Sequence, residues 1–253
     1  MNSLKVSVIT VVFNNAAMIE HCINSVRAQT YADIEHIIVD GGSTDGTVEI
    51  INKYQNSQTK VVSEPDKGLY DAMNKGIMRS TGDIVGILNS DDFYPNDLVI
   101  EKVVRIMSEK QVESCYGDAV YVQRDNVNRI MRYWKSGKFS RNKFKIGWMP
   151  QHGTFYVKKG IYTRYGLFND DFPIAADYEL ILRFLYKHKI TAVYLPEILL
   201  KIRAGGLSKP GIVNTSKMFF ENYKASKING IKYPMLVCFL KRLLKILQFI
   251  TKP

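Results

Sequence analysis

The chain is poor in cysteine, and its cysteines form no recognisable site. Cys22, Cys115 and Cys238 lie far apart and in no metal-ligand spacing, which indicates reduced thiols of a cytoplasmic protein and argues against a disulfide framework. The first apolar run, residues 6–13, is followed by two asparagines and not by a small-residue cleavage site. We therefore expect a strand there and not a signal peptide.

Two common phosphate-binding motifs are also absent. The glycine-rich stretch at residues 40–47 has neither the G-x-G-x-x-G order of a dinucleotide fold nor the G-K-[ST] of a P-loop. A plain strand-to-helix turn, capped by Ser43 or Thr44, would explain its glycines and hydroxyls. It would not explain Asp40, an acid at a strand end that can accept a hydrogen bond from a pyrimidine imide or a ribose hydroxyl.

A second acidic feature follows an apolar strand predicted at residues 83–88. Asp91 and Asp92 are adjacent, and two neighbouring carboxylates repel each other unless a cation lies beside them. A divalent metal with phosphate oxygens is one solution; the start of a helix, where Asp is favoured, is the other. In an open α/β sheet, ligands bind at the carboxyl ends of the strands, which is where both acids are expected.

The hydrophobic pattern alternates strand, loop and helix about every 30 residues, which predicts an α/β fold with a mainly parallel sheet. We expect the region 136–150 to be a mobile loop or an acceptor-side insert. Strands are predicted at 5–12, 34–39, 60–63, 83–88, 114–123, 128–134, 155–157, 192–195 and 198–202, and helices at 16–26, 48–54, 69–78, 96–107 and 177–188.

Five blocks in this order resemble the family-two glycosyltransferases, inverting enzymes with the GT-A nucleotide-sugar fold. They lie at residues 6–15, 40–47, 64–76, 81–92 and 176–183. The likeness implies a domain over 1–208, with a donor half at about 1–95 and an acceptor half at about 96–208. A sugar nucleotidyltransferase is an alternative, but it would need a glycine-rich basic loop after the first strand, where this chain has Asn-Asn-Ala-Ala.

The resemblance also implies a site. It assigns Asp40 to the nucleobase, together with the backbone from Thr10 to Phe13, and Asp91 to the ribose. Asp92 would coordinate Mn²⁺ or Mg²⁺ on the diphosphate of a nucleotide sugar, such as a UDP-sugar. Asp177 would be the general base that takes the proton of the acceptor hydroxyl.

Weaker candidates come from the same likeness. They are Asp66 and Lys67 near the donor, and His152 and Arg203 on the acceptor or diphosphate side, Arg203 with a loop running to Ser208. Each has a structural alternative: a turn, a solvated lysine, a structural histidine or a basic turn. Asp177 could likewise be a helix N-cap, with Glu179 and Arg183 as an i, i+4 pair.

This chain departs from the family pattern at two of these places. Asn89 stands where an Asp is common, and Ala176 stands where an acid commonly precedes the base. Asn89 carries no charge and can only support the metal site, and Ala176 leaves Asp177 with less like-charge repulsion.

The positive charge is concentrated at the C-terminal end. Residues 201–253 carry eleven Lys or Arg and one acid, so that about +10 of the net +11 lies there. A helix from Pro234 would place Lys241, Arg242, Lys245 and Gln248 on one stripe beside a wide apolar face. We predict that the extension, residues 209–253, lies in an anionic membrane interface on the cytoplasmic face, which favours a lipid-linked glycan acceptor.

Two other interpretations of the extension stay open. The helix could dock its apolar face on the catalytic domain. The chain could also be a non-enzymatic adaptor for a membrane or a nucleic acid, although the enzyme interpretation requires no nucleic-acid partner.

Overall fold

The computed structural model describes residues 4–205 and 212–247. The first half of the chain forms the parallel part of an eight-stranded sheet. Its strands are β1 Val6–Val12, β2 Ile34–Asp40, β3 Thr59–Ser63 and β4 Ile84–Asn89. Its helices are α1 Ala16–Arg27, α2 Thr47–Asn52 and α3 Leu69–Arg79.

The second half continues the same sheet, largely with antiparallel strands, and the strand order is β3-β2-β1-β4-β7-β5-β6 with β8 paired to β5. Its strands are β5 Ser114–Gln123, β6 Asn126–Trp134, β7 Tyr156–Lys158 and β8 Ala192–Arg203. Its helices are α4 Val99–Lys110, α5 Lys159–Tyr165, α6 Ala176–Ile181, α7 Ile212–Ile228 and α8 Pro234–Leu247. The predicted α/β fold with helices flanking a central sheet is confirmed.

The central strands of the sheet are buried, whereas the edge strand β6 is largely exposed. Every residue of β1 is buried, as expected for a parallel strand between two helical layers. Helix α3 lies so close to β1 that a Cβ on Gly76 would be 2.4 Å from the Cγ2 of Ile9. The strands are therefore held in one fixed position relative to the helix that follows the 64–68 loop.

A buried carboxylate joins the strands at the end of the sheet opposite the acidic turn. Glu35 accepts hydrogen bonds from the hydroxyl of Ser7 at 2.6 Å and from the amide and hydroxyl of Thr81 at 2.5 and 2.8 Å. The ammonium of Lys60 donates to it at 3.0 Å. These contacts fix the start of β4, and hence the place where β4 ends.

Several boundaries differ from the prediction. β8 is one strand from Ala192 to Arg203 and not two, because irregular register opposite residues 116–119 of β5 absorbs the break. The region 136–150 is packed and not a mobile loop: it contains a 3₁₀ helix, Arg141–Ile146, whose Phe144 is buried. Helix α5 had not been predicted, and α6 passes into π-helical turns over Leu182–Lys187. Helix α7 lies within the extension at 209–253, which had been predicted as helical with a helix start given only at Pro234.

Helices α7 and α8 form a hairpin that packs on the domain. Glu221 of α7 accepts hydrogen bonds from the amides of Ile174 and Ala175, both at 2.8 Å. Lys241 of α8 donates to the Asn222 amide oxygen at 2.9 Å, and its ammonium lies 3.2 Å from the centroid of the Tyr178 ring. The docked-helix alternative is therefore correct for one face of α8.

The other face of α8 is apolar and exposed. It carries Met235, Leu236, Phe239 and Leu243. Lys241 faces the domain, and Arg242 donates to the backbone oxygen of Thr215 of α7 at 3.1 Å. The described part of the predicted basic stripe is therefore engaged within the protein. The side chain of Lys245, Gln248 and the predicted loop at 206–208 lie outside what the structure describes. Across residues 4–205 and 212–247, the helices are too short or too polar to span a bilayer.

Candidate active site

The carboxyl ends of β1, β2 and β4 bring the predicted acidic loops together. Val12 pairs with Asp40, and Val11 pairs with Asn89. The side-chain amide of Asn15 then donates to the Ser90 hydroxyl at 2.9 Å, joining the start of α1 to the acidic turn. Residues 13–15, 40–47 and 89–92 thus form one rim, as the topology predicted.

In the glycine-rich loop at residues 40–47, the side chain that bonds to the start of α2 is not one of the two predicted caps, Ser43 and Thr44. Asp45 accepts a hydrogen bond from the Thr47 amide at 3.1 Å, and α2 begins at Thr47. The hydroxyl of Ser43 instead accepts from the amide of Asn14 at 2.8 Å, and the amide of Thr44 donates to the Asn14 side chain at 2.9 Å. Neither predicted residue caps the helix; both connect the loop to the end of β1.

The structure places Asp40 and Thr10 inside the molecule. Asp40 is fully buried and accepts from the amides of Gly42 and Ser43, both at 3.1 Å, and from the Ser63 hydroxyl at 2.7 Å. The Thr10 hydroxyl bonds to the imidazole Nε2 of His36 at 2.8 Å. The carboxylate of Asp40 therefore shapes the loop, and the Thr10 side chain points away from the rim.

Phe13 and Asp66 lie at the open part of this rim. Phe13 is 54% exposed, which is unusual for a phenylalanine at the end of a buried strand. A Cβ on Gly41 would lie 2.3 Å from Oδ2 of Asp66 and 3.4 Å from Cδ2 of Phe13, so these three residues are in close contact. Lys67 is exposed beside them, and its amide donates to Asp71 at 2.9 Å.

The acidic turn contains buried polar atoms without partners. Asp92 is only 2% exposed, and its Oδ1, like Oδ1 of Asn89, has no hydrogen-bond partner among the described residues. Burial, and then the negative charge of Asp91, raises the pKa of the Asp92 carboxyl well above its ordinary value. Burial also raises the pKa of Asp91, while its own backbone amide, Arg124 and Arg203 oppose the increase.

Arg203 lies against this turn from β8. Its Nη1 donates to the backbone oxygen of Asp91 at 2.7 Å, and its guanidinium lies 4.6 Å from the centroid of the Phe93 ring. A second nitrogen contacts Nδ1 of His21, and burial, followed by the charges of Arg203 and Lys201, lowers the pKa of that histidine. No pattern in the sequence had indicated His21.

Asp177 lies in the first turn of α6. Its Oδ1 accepts from the Tyr178 amide at 2.7 Å and faces the Tyr70 hydroxyl at 3.3 Å, and its Oδ2 lies 3.4 Å from Nδ1 of His152. The N-cap alternative is wrong, because Ala175 is the N-cap and receives no side-chain bond. The predicted pair of Glu179 with Arg183 is present at 2.9 Å.

Tyr121 is a further residue whose electrostatics involve the predicted acids. Burial raises the pKa of its phenol; Arg132 opposes the increase, and the charges of Asp92 and Asp177 add to it. Sequence reasoning missed Tyr121, and it missed Tyr70 although Tyr70 lies within the 64–76 block.

Comparison with known proteins agrees with this arrangement. Residues 7–170 match the family model described as Glycosyl transferase family 2. The chain belongs to this family. The catalytic class is therefore that of a glycosyltransferase, and the prediction of an enzyme is confirmed.

A similar protein, named an uncharacterized glycosyltransferase of Mycobacterium tuberculosis, is 36% identical over 181 residues, which is 70% of this chain and 68% of the relative. Two solved structures show the GT-A fold. S. aureus TarS 1-349 in complex with UDP-GlcNAc has a TM-score of 0.69 at 18% identity and covers 88% of this chain and 66% of TarS. The mannosyltransferase PcManGT from Pyrobaculum calidifontis, in complex with GDP-Man and Mn2+, has a TM-score of 0.71 at 20% identity. The match covers 96% of this chain and 70% of the PcManGT chain.

No group of three or more His, Cys, Asp or Glu that could hold a metal occurs within residues 4–205 and 212–247.

Proposed function

We propose that this protein is a metal-dependent inverting glycosyltransferase. It moves a sugar from a nucleoside diphosphate donor, a UDP-sugar in our proposal, to a hydroxyl of a glycan or lipid-linked acceptor in surface polysaccharide biosynthesis. The observation that carries the proposal is the presence, in this fold, of an acidic turn with unsatisfied buried oxygens and of a second, partly exposed carboxylate, Asp177. These are the two parts that single displacement requires.

The donor nucleotide would occupy the rim near Phe13. TarS was solved with UDP-GlcNAc and PcManGT with GDP-Man, so family folds of this kind hold both pyrimidine and purine donors. We assign base recognition to the exposed Phe13 ring and to Asp66, because the oxygens of Asp40 are occupied by the loop. Asp40 then acts by holding residues 41–43, Asp91 would contact the ribose, and Lys67 would reach a phosphate.

Mn²⁺ or Mg²⁺ would be held by Asp92, with Asn89 in support. Buried polar atoms are rarely left unpaired, and a carboxylate oxygen and an amide oxygen without partners suit a hard divalent cation. When bound, the metal would neutralise charge on the leaving diphosphate. Arg203, which already touches the acidic turn, adds positive charge on the same side.

Asp177 would act as general base. It is in the first turn of a helix, is partly exposed and has neither a Lys nor an Arg paired with it among the described contacts. A carboxylate in this position can accept the proton of an acceptor hydroxyl in the attack on the sugar. His152, 3.4 Å away, would lie on the acceptor side.

The acceptor and the membrane are linked through α8. Four apolar side chains on its outward face are exposed, and Lys217 and Lys227 are exposed on the neighbouring α7. An apolar helix face beside basic residues is typical of a segment that lies in an anionic lipid interface. We therefore propose peripheral attachment to the cytoplasmic leaflet, with α8 docked on the domain by its other face.

Two variants test the catalytic proposal in one assay of sugar transfer and donor binding. Asp177→Asn should keep donor binding and lose transfer by at least about a hundredfold, within the usual range for a general base. Asp92→Asn should lose the thermal stabilisation that donor with Mn²⁺ gives the wild type. Undiminished transfer by Asp177→Asn would refute the base assignment, and transfer by the wild type in chelator would refute the metal assignment.

A further inference from the structure

The two carboxylate oxygens of Asp177 have different surroundings. Oδ1 accepts from the Tyr178 amide at 2.7 Å and faces the Tyr70 hydroxyl at 3.3 Å. Among the hydrogen bonds and ion pairs of the described residues, Oδ2 has one partner, Nδ1 of His152 at 3.4 Å. An oxygen that already accepts hydrogen bonds is stabilised in its charged form and is the poorer proton acceptor.

We propose that Tyr70 is a positioning residue for Asp177 and that Oδ2, on the His152 side, takes the acceptor proton. This inference rests on the proposed function. In the step, the acceptor O–H bond breaks and its proton passes to Oδ2, while the oxygen's electron pair forms the bond to the donor sugar carbon. The bond from that carbon to the diphosphate oxygen breaks, and its electron pair leaves with the nucleoside diphosphate.

The Tyr70 hydroxyl is well suited to this role. Burial, and then the charge of Asp177, raises the pKa of the phenol well above its ordinary value, so the hydroxyl keeps its proton and is a donor. The hydroxyl oxygen lies 3.0 Å from the backbone oxygen of Ile174 and 3.3 Å from Oδ1 of Asp177, and its proton is shared between these two acceptors. The ring is stacked on Phe168 with centroids 5.4 Å apart, which fixes its direction.

Tyr70 also connects the base to the donor side. It is the second residue of α3, which begins directly after the 64–68 loop. In that loop the Gly68 amide donates to Asp66 at 2.8 Å, and the Lys67 amide donates to Asp71 of α3 at 2.9 Å. The loop with the proposed nucleotide-sugar contacts therefore runs directly into the helical turn that contacts the base, so that a nucleotide sugar bound at the loop also restrains Tyr70.

Tyr70→Phe tests the inference because it removes the hydroxyl and keeps the stacked ring. We expect kcat to fall about ten- to hundredfold, as for loss of a hydrogen bond to a charged group, with the donor KM unchanged within about twofold. Tyr156→Phe is the matched control: it also removes a buried hydroxyl, one that contacts Tyr94 at 3.1 Å. The control should reproduce any general loss of stability without the loss of kcat.

His152→Gln tests which oxygen faces the acceptor. We expect it to raise the acceptor KM and to leave the donor KM unchanged. An unchanged acceptor KM would overturn the assignment of Oδ2.

The outcomes separate this inference from the proposed function. If Asp177→Asn is inactive while Tyr70→Phe keeps the wild-type kcat, the positioning role is refuted and the general base stands. If Asp177→Asn transfers sugar normally, the base assignment fails, and this inference fails with it. If Tyr70→Phe and Tyr156→Phe lose activity only in proportion to stability, Tyr70 is structural.

Discussion

Gly147→Ala should release α8 from the catalytic domain. Gly147 follows the 3₁₀ helix Arg141–Ile146 in a left-handed conformation, with φ of +84°. A Cβ at this position would lie 2.6 Å from the backbone nitrogen of Lys241 and 2.7 Å from its Cα. These are backbone atoms of α8 and cannot rotate away, so the helix or the 3₁₀ segment must move.

The size of the effect follows from two penalties. A left-handed conformation costs an alanine about 1–2 kcal/mol, and overpacking of a close contact costs about 1–3 kcal/mol. Docking of α8 buries Val237 and Cys238, at about 1.5–3 kcal/mol for a fully buried side chain of valine size. The summed penalty is similar in size to the free energy gained by burying Val237 and Cys238. The substitution therefore removes most of the free energy that holds α8 in place.

Hydrogen exchange measured by mass spectrometry checks this directly. A loss of about 2–5 kcal/mol, the sum of the two penalties, corresponds to roughly 30- to 4,000-fold more frequent opening. We expect it to be confined to residues 234–247, while β1 and β4 exchange as in the wild type. Gly160→Ala is the matched control, because a Cβ on Gly160 meets no atom within 4 Å. Equal protection of α8 in both variants would refute the packing argument.

Two further predictions concern other parts of the chain. Replacing Leu236 and Phe239 by Ser should weaken binding to anionic vesicles at least about tenfold, since each inserted apolar side chain contributes about 1.5–3 kcal/mol. Met131 is an exposed apolar residue of β6, and Met131→Ser should leave vesicle binding unchanged. Equal effects of the two changes would exclude α8 as the membrane contact. Burial raises the pKa of the Glu35 carboxyl, but its hydrogen bonds outweigh burial and hold the pKa well below its ordinary value. The ionised Glu35 carboxylate therefore stabilises the folded protein fully above about pH 4.3, the ordinary pKa of a glutamate, and this stabilisation is lost as the pH falls further. Glu35→Gln should lower the free energy of unfolding by about 1.5–3 kcal/mol at pH 7 and by less at pH 3, and a difference independent of pH would contradict this assignment.

The parallel half of the fold was predictable because its signals are local. β1, β2 and β4 are apolar runs that end in polar loops, and the structure begins and ends them within about two residues of the prediction. The acidic turn and the glycine-rich loop then meet, since parallel strands present their carboxyl ends on one edge. The resemblance added the family, which the comparison confirms.

The surroundings of each predicted site residue were not predictable, because they depend on contacts between distant segments. Arg203 reaches the backbone of Asp91 from β8, and Tyr70 reaches Asp177 from α3. No periodicity encodes such contacts. The buried position of Asp40 likewise depends on Ser63, at the end of a neighbouring strand.

The C-terminal extension shows a different limit. Its helical pattern predicted a basic stripe and a wide apolar face, and α8 does begin at Pro234. The pattern could not show which face meets the domain, because Lys241 uses its ammonium on the Tyr178 ring and on Asn222. A lysine can therefore lie on the packed side, and apolar residues remain outside.

Asn89 gains a physical explanation from the same kind of contact. An aspartate there would place a third carboxylate beside Asp91 and Asp92, and the pKa of Asp92 is already raised well above its ordinary value by burial and by Asp91. The amide nitrogen of Asn89 instead lies 3.4 Å from Oδ2 of Asp92, a contact with a donor that a carboxylate lacks. An unsatisfied buried acceptor costs about 1–3 kcal/mol, so the amide lowers the cost of keeping this turn folded in the absence of a ligand. The Oδ1 atoms of both residues stay without hydrogen-bond partners, and these are the oxygens that we propose for the metal.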